Sequence, residues 1–494
     1  MRIGFDRDLY IEKQTEHILK RMEQFDNKLY LEFGGKLFDD YHAARVLPGF
    51  DVNAKVKLLK NFADKAEIVF CINANSIEKN KIRADFGITY DQDLLRTIDA
   101  MRGMGLLVNS VVITQYADQP GAITFRNMLE QRGVKTYKHY PIKGYPTDVN
   151  LIVSENGYGA NEFVETTRPL VVVTAPGPNS GKLATCLSQL YHENRRGVQA
   201  GYAKFETFPV WNLPLRHPVN LAYEAATADL KDVNMIDPLH LDAYGVTAVN
   251  YNRDIEGFPI VNTILTRITN KTIYQSPTDM GVNTIASCIV DDEVVREAAT
   301  QEIVRRYYKT WCECRMGREE TDTAYRIEKL LSQLDVDPES ARPVAVAAKR
   351  KAEQSGSKAM AIELPDGRIV TGRSQSLMNA AASCVINAIK TLAGIADEVH
   401  LMSPVILEPI VKMKRETLGR RSPKLNLEEM LVALSICAAT NPMAELALSK
   451  LPQLKGCEAH TSYMVTAPGT NILRSLGMNV TCEAVFETDA LYND

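Results

Sequence analysis

The chain has no apolar run approaching the roughly 18 residues of a membrane-spanning helix. Its start, MRIGFDRDLYIEKQTEHILK, has no apolar signal core and carries acids early. A cytoplasmic protein with no membrane partner is expected. Basic residues are not in excess, since 57 Lys and Arg stand against 61 Asp and Glu, a formal net charge of −4. That removes the electrostatic case for nucleic acid as a main partner. Histidine pairs at ligand spacing are missing, because the eight histidines are scattered singly. Zinc ribbons use C-x-x-C pairs in duplicate, and Cys312 and Cys314 in TWCECRMG have no second pair to match. No metal site is expected, and these two read as an ordinary helix end. The other cysteines lie mostly in apolar runs, such as Cys71 in IVFCIN and Cys437 in LSICAA. They read as reduced core thiols.

What is present is an ordinary globular composition, 45% hydrophobic and 24% charged over 494 residues. That length suits about two to four domains with sizeable cores. The stretch around which the chain is organised is LVVVTAPGPNSGKLATCLSQL, residues 170–190. Leu170, Val171, Val172 and Val173 read as a buried parallel strand. A loop of small residues follows, then Lys182, then a helix with Leu183, Leu187 and Leu190 on one face. Strand, glycine loop, lysine, helix is the layout that favours an anion, through backbone N–H groups, the positive end of the helix and the lysine charge. Gly177, Asn179, Ser180, Gly181 and Lys182 are the candidate phosphate contacts, with Thr185 the next hydroxyl along. The full signature G-x-x-x-x-G-K-[ST] is not met, because Pro176 and Leu183 stand where Gly and Ser or Thr belong. General anion binding is therefore expected ahead of ATP with magnesium. The alternative is a tight strand-to-helix turn with a solvated lysine.

Two other loops belong to the same argument. Leu29, Leu31 and Phe33 alternate along a strand that ends in Gly34, Gly35 and Lys36, read either as a second anion-facing loop or as a β-turn with an exposed lysine. The stretch KFETFPVWNLPLRHPVNLAYE, residues 204–224, holds three prolines and one of two tryptophans. It follows a strand expected beside the glycine loop, and ligands bind outside the carboxyl ends of parallel strands. Arg216 is the candidate grip on a phosphate or carboxylate, and His217 or Glu206 the candidate acid or base. The plainer reading is a proline-stiffened connection with surface charges. Asp237, before Pro238, reads as a helix cap.

In chain order, a helix over 11–27 precedes the first strand. Helices over 53–64, 91–103 and 120–132 then alternate with strands over 67–73, 106–114 and 134–140, Gly133 closing the last helix. Strands over 170–173 and 199–210 continue the pattern. The expected fold is α/β, with a doubly wound, mostly parallel sheet over residues 1–232. A helical or α+β insert is expected over 233–342, with helices from 291 and over 321–334, as an insert or oligomer contact. Residues 343–494 read as a C-terminal α/β domain. Its hairpin turns at Pro365-Asp366-Gly367, and a small-residue helix, a strand EVHLMSP and a further helix follow. This order is similar to the cytidine-deaminase-like layout, without the H-x-E and P-C-x-x-C zinc ligands of that family. The pentapeptide Val173–Gly177 recurs as Val465–Gly469, read either as coincidence or as two strand-end loops addressing one ligand.

Taken together, EFGGKLFDDYHAARVLPGF, VVVTAPGPNSGKLAT, FPVWNLPLRHPVNLAYEAATADL and MVTAPGTN resemble the bacterial family known as domain of unknown function 1846. The resemblance covers essentially the whole chain. It implies a cytosolic, multi-domain α/β protein, and it transfers no catalytic residue. The residues themselves point to an enzyme that binds a phosphorylated small molecule or nucleotide at the 174–185 loop, with transferase or ligase chemistry open. A non-catalytic ligand-binding protein or homo-oligomeric scaffold is the alternative. No cofactor is specified.

Overall fold

The computed structural model describes residues 2–26, 28–83 and 87–488. The apolar runs of the first half become a parallel sheet of seven strands: β1 (Leu29–Phe33), β2 (Ala66–Asn73), β3 (Leu107–Thr114), β4 (Lys135–Lys138), β5 (Leu170–Thr174), β6 (Gly201–Phe205) and β7 (Gly281–Val282). Their order is β7-β6-β1-β5-β2-β3-β4. β1 and β5 are buried at every residue, as strands covered on both faces must be, which is why β5 reads as an apolar run up to Thr174 and β1 is apolar apart from Glu32. In register, Leu29 of β1 faces Leu170 of β5 and Gly201 of β6, and Glu32 faces Val173 and Lys204.

The helices follow their sequence signals. Arg7–Met22 starts on an Asp6 cap. Its expected end at Asn27 lies outside the described residues. Pro120–Gln131 opens with its proline in the first turn, and Gly133 follows with φ of 72°, the left-handed geometry that ends a helix. Asp237 caps Pro238–Tyr244 by accepting from the N–H groups of Leu239 and His240, as read from the sequence. Among the described residues, no helix is long and apolar enough to cross a membrane.

The chain divides into two compact units, Met1–Thr300 and Gln301–Asp494. The stretch expected as one insert over 233–342 is therefore shared between them. Its short strand β7 completes the edge of the large sheet beside β6, a pairing too brief to leave a periodic signal.

The second unit is built on a mixed sheet of β8 (Ala359–Glu363), β9 (Ile369–Arg373), β10 (Glu458–Thr461) and β11 (Asn479–Cys482), in the order β9-β8-β10-β11. β8 runs antiparallel to β9 and β10, and β10 and β11 are parallel. EVHLMSP is not a strand. Leu401 and Met402 are buried in the core of this unit without joining a ladder, and Ser403 immediately caps the helix Pro404–Glu416. Burial without pairing gives the same apolar pattern as a strand, so the sequence misleads here. The second VTAPG segment departs from the strand-end reading of the echo and leaves the coincidence reading. β10 ends at Thr461, and Gly469 lies in the first turn of the helix Ala467–Ser475, whereas Gly177 lies in a loop directly after β5.

Gly372 in β9 lets the helix Ala380–Ala393 approach the hairpin. A Cβ there would lie 2.3 Å from the backbone nitrogen of Cys384, and backbone cannot step aside. Gly372→Ala is expected to destabilise the protein by at least the roughly 1–3 kcal/mol of an overpacked core. Urea denaturation followed by circular dichroism measures it, and an unchanged midpoint would contradict this packing.

Candidate functional site

The chain leaves β1 toward β2 on one side, and leaves β5 toward β6 on the other. Neighbouring strands with opposite exits form a topological switch point, and ligands of open parallel sheets bind in the crevice outside their carboxyl ends. Three of the loops singled out in the sequence meet this edge: 34–36 after β1, 175–181 after β5, and the segment that starts at Glu206 after β6.

The glycine loop is held by side chains from two other strand ends. Asn73 Nδ2 donates to the carbonyl of Asn179 at 3.2 Å, and Thr114 Oγ1 donates to the carbonyl of Ser180 at 2.8 Å. Ser180 Oγ donates to the carbonyl of Gly177. Asn179 and Gly181 take φ of 56° and 85°, the left-handed region that Asn and Gly tolerate best. Gly181 also packs against Thr114, where a Cβ would lie 2.9 Å from Cγ2. Gly177 lies under the Tyr90 ring, where a Cβ would meet Cζ at 2.5 Å. The N–H groups of Asn179, Gly181, Lys182 and Leu183 find no acceptor among the described residues. Lys182 opens the helix Lys182–Arg195, is half-buried, and makes no hydrogen bond or ion pair among the described residues.

Thr185 points elsewhere. The residue is 1% exposed, and its hydroxyl accepts from Cys71 Sγ at 3.4 Å and lies 3.5 Å from His139 Nδ1. His139 Nε2 contacts the carbonyl of Glu162 at 3.1 Å, which places the ring proton on Nε2 and leaves Nδ1 to accept from Thr185. Both capacities of the hydroxyl are used inside the sheet, so Thr185 is not available to a ligand. Burial pushes the Cys71 thiol up to about 12, so it is no nucleophile.

At the end of β1, Gly34 allows Glu206 to lie against the backbone, since a Cβ there would be 2.9 Å from Glu206 Cγ. Lys204 Nζ bonds Asp254 Oδ2 at 2.6 Å and Glu206 Oε1 at 3.0 Å. Tyr202 Oη donates to Glu32 Oε2 at 2.8 Å. Burial, helped by Asp254 and opposed by Lys204, pushes the half-buried Glu206 carboxyl up to about 7. Gly35 and Lys36 are exposed. Gly35 takes φ of 70° beside the buried Lys55–Asp40 pair.

His217 and Arg216 do not join this cluster. His217 is 1% exposed and caps the helix Pro218–Ala226, its Nδ1 accepting from the N–H of Val219 at 3.3 Å. Its Nε2 donates to Asp292 Oδ1 at 2.9 Å, and burial lowers its pKa. Both ring nitrogens are committed to structure. Arg216 is exposed on the preceding turn. Cys312 and Cys314 occupy the last turn of the helix Asp292–Arg315, and among the described residues no three metal-ligating side chains cluster.

Sequence reading missed Asn73, Thr114, Tyr90, Glu32 and Asp254. Glu32 had a signal, since it is a charge inside an otherwise apolar buried strand. Asp254 had none, because only the fold brings it to Lys204.

The family model for domain of unknown function DUF1846, N-terminal, matches residues 3–335, and its C-terminal counterpart matches residues 340–492. The chain belongs to this family. Among its relatives, the UPF0371 protein of Clostridium botulinum strain Loch Maree is 56% identical over 500 residues, covering 100% of this chain and 99% of the relative. The UPF0371 protein of Clostridioides difficile strain 630 is 55% identical over 501 residues, covering 100% of both. The break between the two family models, between residues 335 and 340, falls within the polar, proline-containing stretch DVDPESARP, residues 335–343.

Burial lowers the His139 pKa from 6.5 to about 4. A depressed histidine pKa means that the folded state disfavours the proton. The stabilisation is full above pH 6.5 and is lost as pH falls from there to about 4, in total roughly 3 kcal/mol. Unfolding free energies of wild type and His139→Gln across this range should converge toward low pH. Parallel curves would contradict a buried neutral His139.

Proposed function

We propose that this protein is a cytoplasmic enzyme that binds a phosphorylated small molecule or nucleotide at the 174–185 loop. The observation that carries the reading is Lys182, half-buried and without an ionic partner among the described residues, beside the unpartnered N–H groups of Asn179, Gly181 and Leu183. An ammonium and unpartnered amides at a switch point are the chemistry of an anion site. Glu206 is the acid or base of this reading, because a carboxyl held near neutrality exchanges protons efficiently at physiological pH. His217 is assigned to the helix cap instead, and Arg216 to surface contact with a large ligand. With Thr185 committed to the sheet, no hydroxyl follows Lys182 to hold magnesium, which favours chemistry other than magnesium-dependent ATP hydrolysis. In the second unit, the strand β8 antiparallel to both neighbours supports a cytidine-deaminase-like layout, and we read it as lacking that family's zinc chemistry. A homo-oligomer remains part of the proposal.

Lys182→Ala is expected to weaken phosphate-bearing ligands by about 1–3 kcal/mol, the value of a charge-assisted contact. The melting temperature should change little, since Lys182 makes no ionic contact among the described residues. Calorimetry with a panel of nucleotides and sugar phosphates tests this, and equal binding by both proteins would refute the phosphate site.

A further inference from the structure

The helix Leu427–Ala438 carries no charge after Glu429 and one polar side chain, Ser435. A helix that is apolar all round belongs in an interior, yet this one is covered on one side alone. Met430, Ala433, Leu434 and Cys437 lie in the core of the second unit, while Val432 and Ile436 on the other side are 56% and 66% exposed. The Ser435 hydroxyl donates to the carbonyl of Leu431 at 2.9 Å, so it is satisfied within the helix. The exposed apolar surface continues on two neighbours. The helix Pro442–Leu448 packs against Leu427–Ala438 and exposes Met443 and Leu446. The helix Pro404–Glu416 runs antiparallel to Leu427–Ala438. Near its end, Lys414 Nζ donates to Glu429 Oε2 and to the carbonyl of Lys424, both at 2.7 Å. Before its start, the carbonyl of Leu401 accepts from Asn441 Nδ2 at 3.2 Å. This helix exposes Val405, Ile406 and Met413. Together the seven apolar side chains expose roughly 650 Å², more than the usual largest apolar patch of a monomer and near the area one partner buries in a standard interface.

The charges differ between the two ends of this face. Beside the start of Leu427–Ala438, the exposed Lys412, Arg415, Arg420 and Arg421 outnumber Glu416 and Glu428. Toward its other end stand the exposed Asp397, Glu398, Glu408 and Glu445.

We propose that this face pairs with the same face of a second copy of the chain, about a two-fold axis that sets the two Leu427–Ala438 helices antiparallel. A two-fold interface uses one patch twice. The antiparallel setting lays Val432 of one copy toward Ile436 of the other, and brings the basic end of each face to the acidic end of its mate. A parallel setting would oppose like charges, which is costly. Two copies would bury roughly 1,300 Å², within the range of stable interfaces. An anionic membrane would attract the basic end and repel the acidic one. The pairing gives a face to the homo-oligomer proposed above and rests on that part of the reading alone.

Sedimentation velocity of the full chain at micromolar concentration and above tests it. Wild type is expected at an even multiple of the chain mass. Ile436→Glu and Val432→Lys, each at an exposed position, should halve that mass and leave the far-ultraviolet circular dichroism unchanged. Hydroxyl-radical footprinting of wild type needs no variant: Met413 and Met443 should be oxidised several-fold more slowly in concentrated protein than after dilution to the dissociated form. Wild type at the mass of one chain, including wild type that binds phosphatidylserine-rich vesicles instead, would overturn the pairing and the homo-oligomer together. An oligomer that keeps its mass in both variants, with both methionines unprotected, would overturn this face and leave the homo-oligomer standing. Neither result bears on phosphate binding, which Lys182→Ala tests separately.

Discussion

The position of β5 between β1 and β2 is the constraint on which the first unit depends. A parallel strand buried on both faces must satisfy its backbone entirely from its neighbours, and β5 does so through five residues without a polar interruption before Thr174. Once that strand is central, its carboxyl end has one place to emerge, between the ends of β1 and β2. The loop that follows is then supported from the side by Asn73 and Thr114, and roofed by Tyr90. Its backbone geometry is over-determined by these contacts, which is how left-handed residues such as Asn179 are kept in a single conformation.

The same placement explains the charges in the sheet. Glu32 and Lys204 sit on strands that are otherwise apolar, and an isolated buried charge costs far more than a strand can tolerate. Each is matched: Glu32 by the Tyr202 hydroxyl, and Lys204 by Asp254 and Glu206. Pairs of this kind add little net stability, because desolvation offsets much of the attraction. Their position at the carboxyl edge of the sheet, where function concentrates in such folds, gives a reason for keeping them that stability does not. His139, Thr185 and Cys71 form a contrasting polar chain, satisfied internally and sealed between sheet and helix.

The second unit depends on a comparable device of purely structural character. Arg342, 1% exposed, donates to Thr481, to Glu458, and to the carbonyls of Ala459 and Asn479. One guanidinium thereby ties β10 to β11, using its planar fork where a lysine could serve only one direction. Removing one partner of such a buried pair is costly, on the order of 3–5 kcal/mol.

How much of this was legible in the sequence follows from which signals are local. The strands β1, β2, β3 and β5, the helix starts at Asp237 and Pro120, and the hairpin of β8 and β9 are written in apolar runs, caps and turn residues within a few positions of each other. EVHLMSP shows the limit, because an apolar pattern reports burial and not the partner that provides it. The strand–loop–lysine layout of residues 170–182 was likewise readable, since it needs only neighbours in the chain. The sequence by itself determined an α/β protein with a glycine loop after a buried strand, and membership of its family through strings spread over the whole length. Only the tertiary structure decided which side chains share the crevice. It withdrew His217 and Thr185 into capping and packing roles, and brought Asp254 to Lys204 and Asn73 and Thr114 to the loop. Those outcomes depend on strand order, which sets the distance between residues far apart in the chain and leaves no mark on the residues themselves.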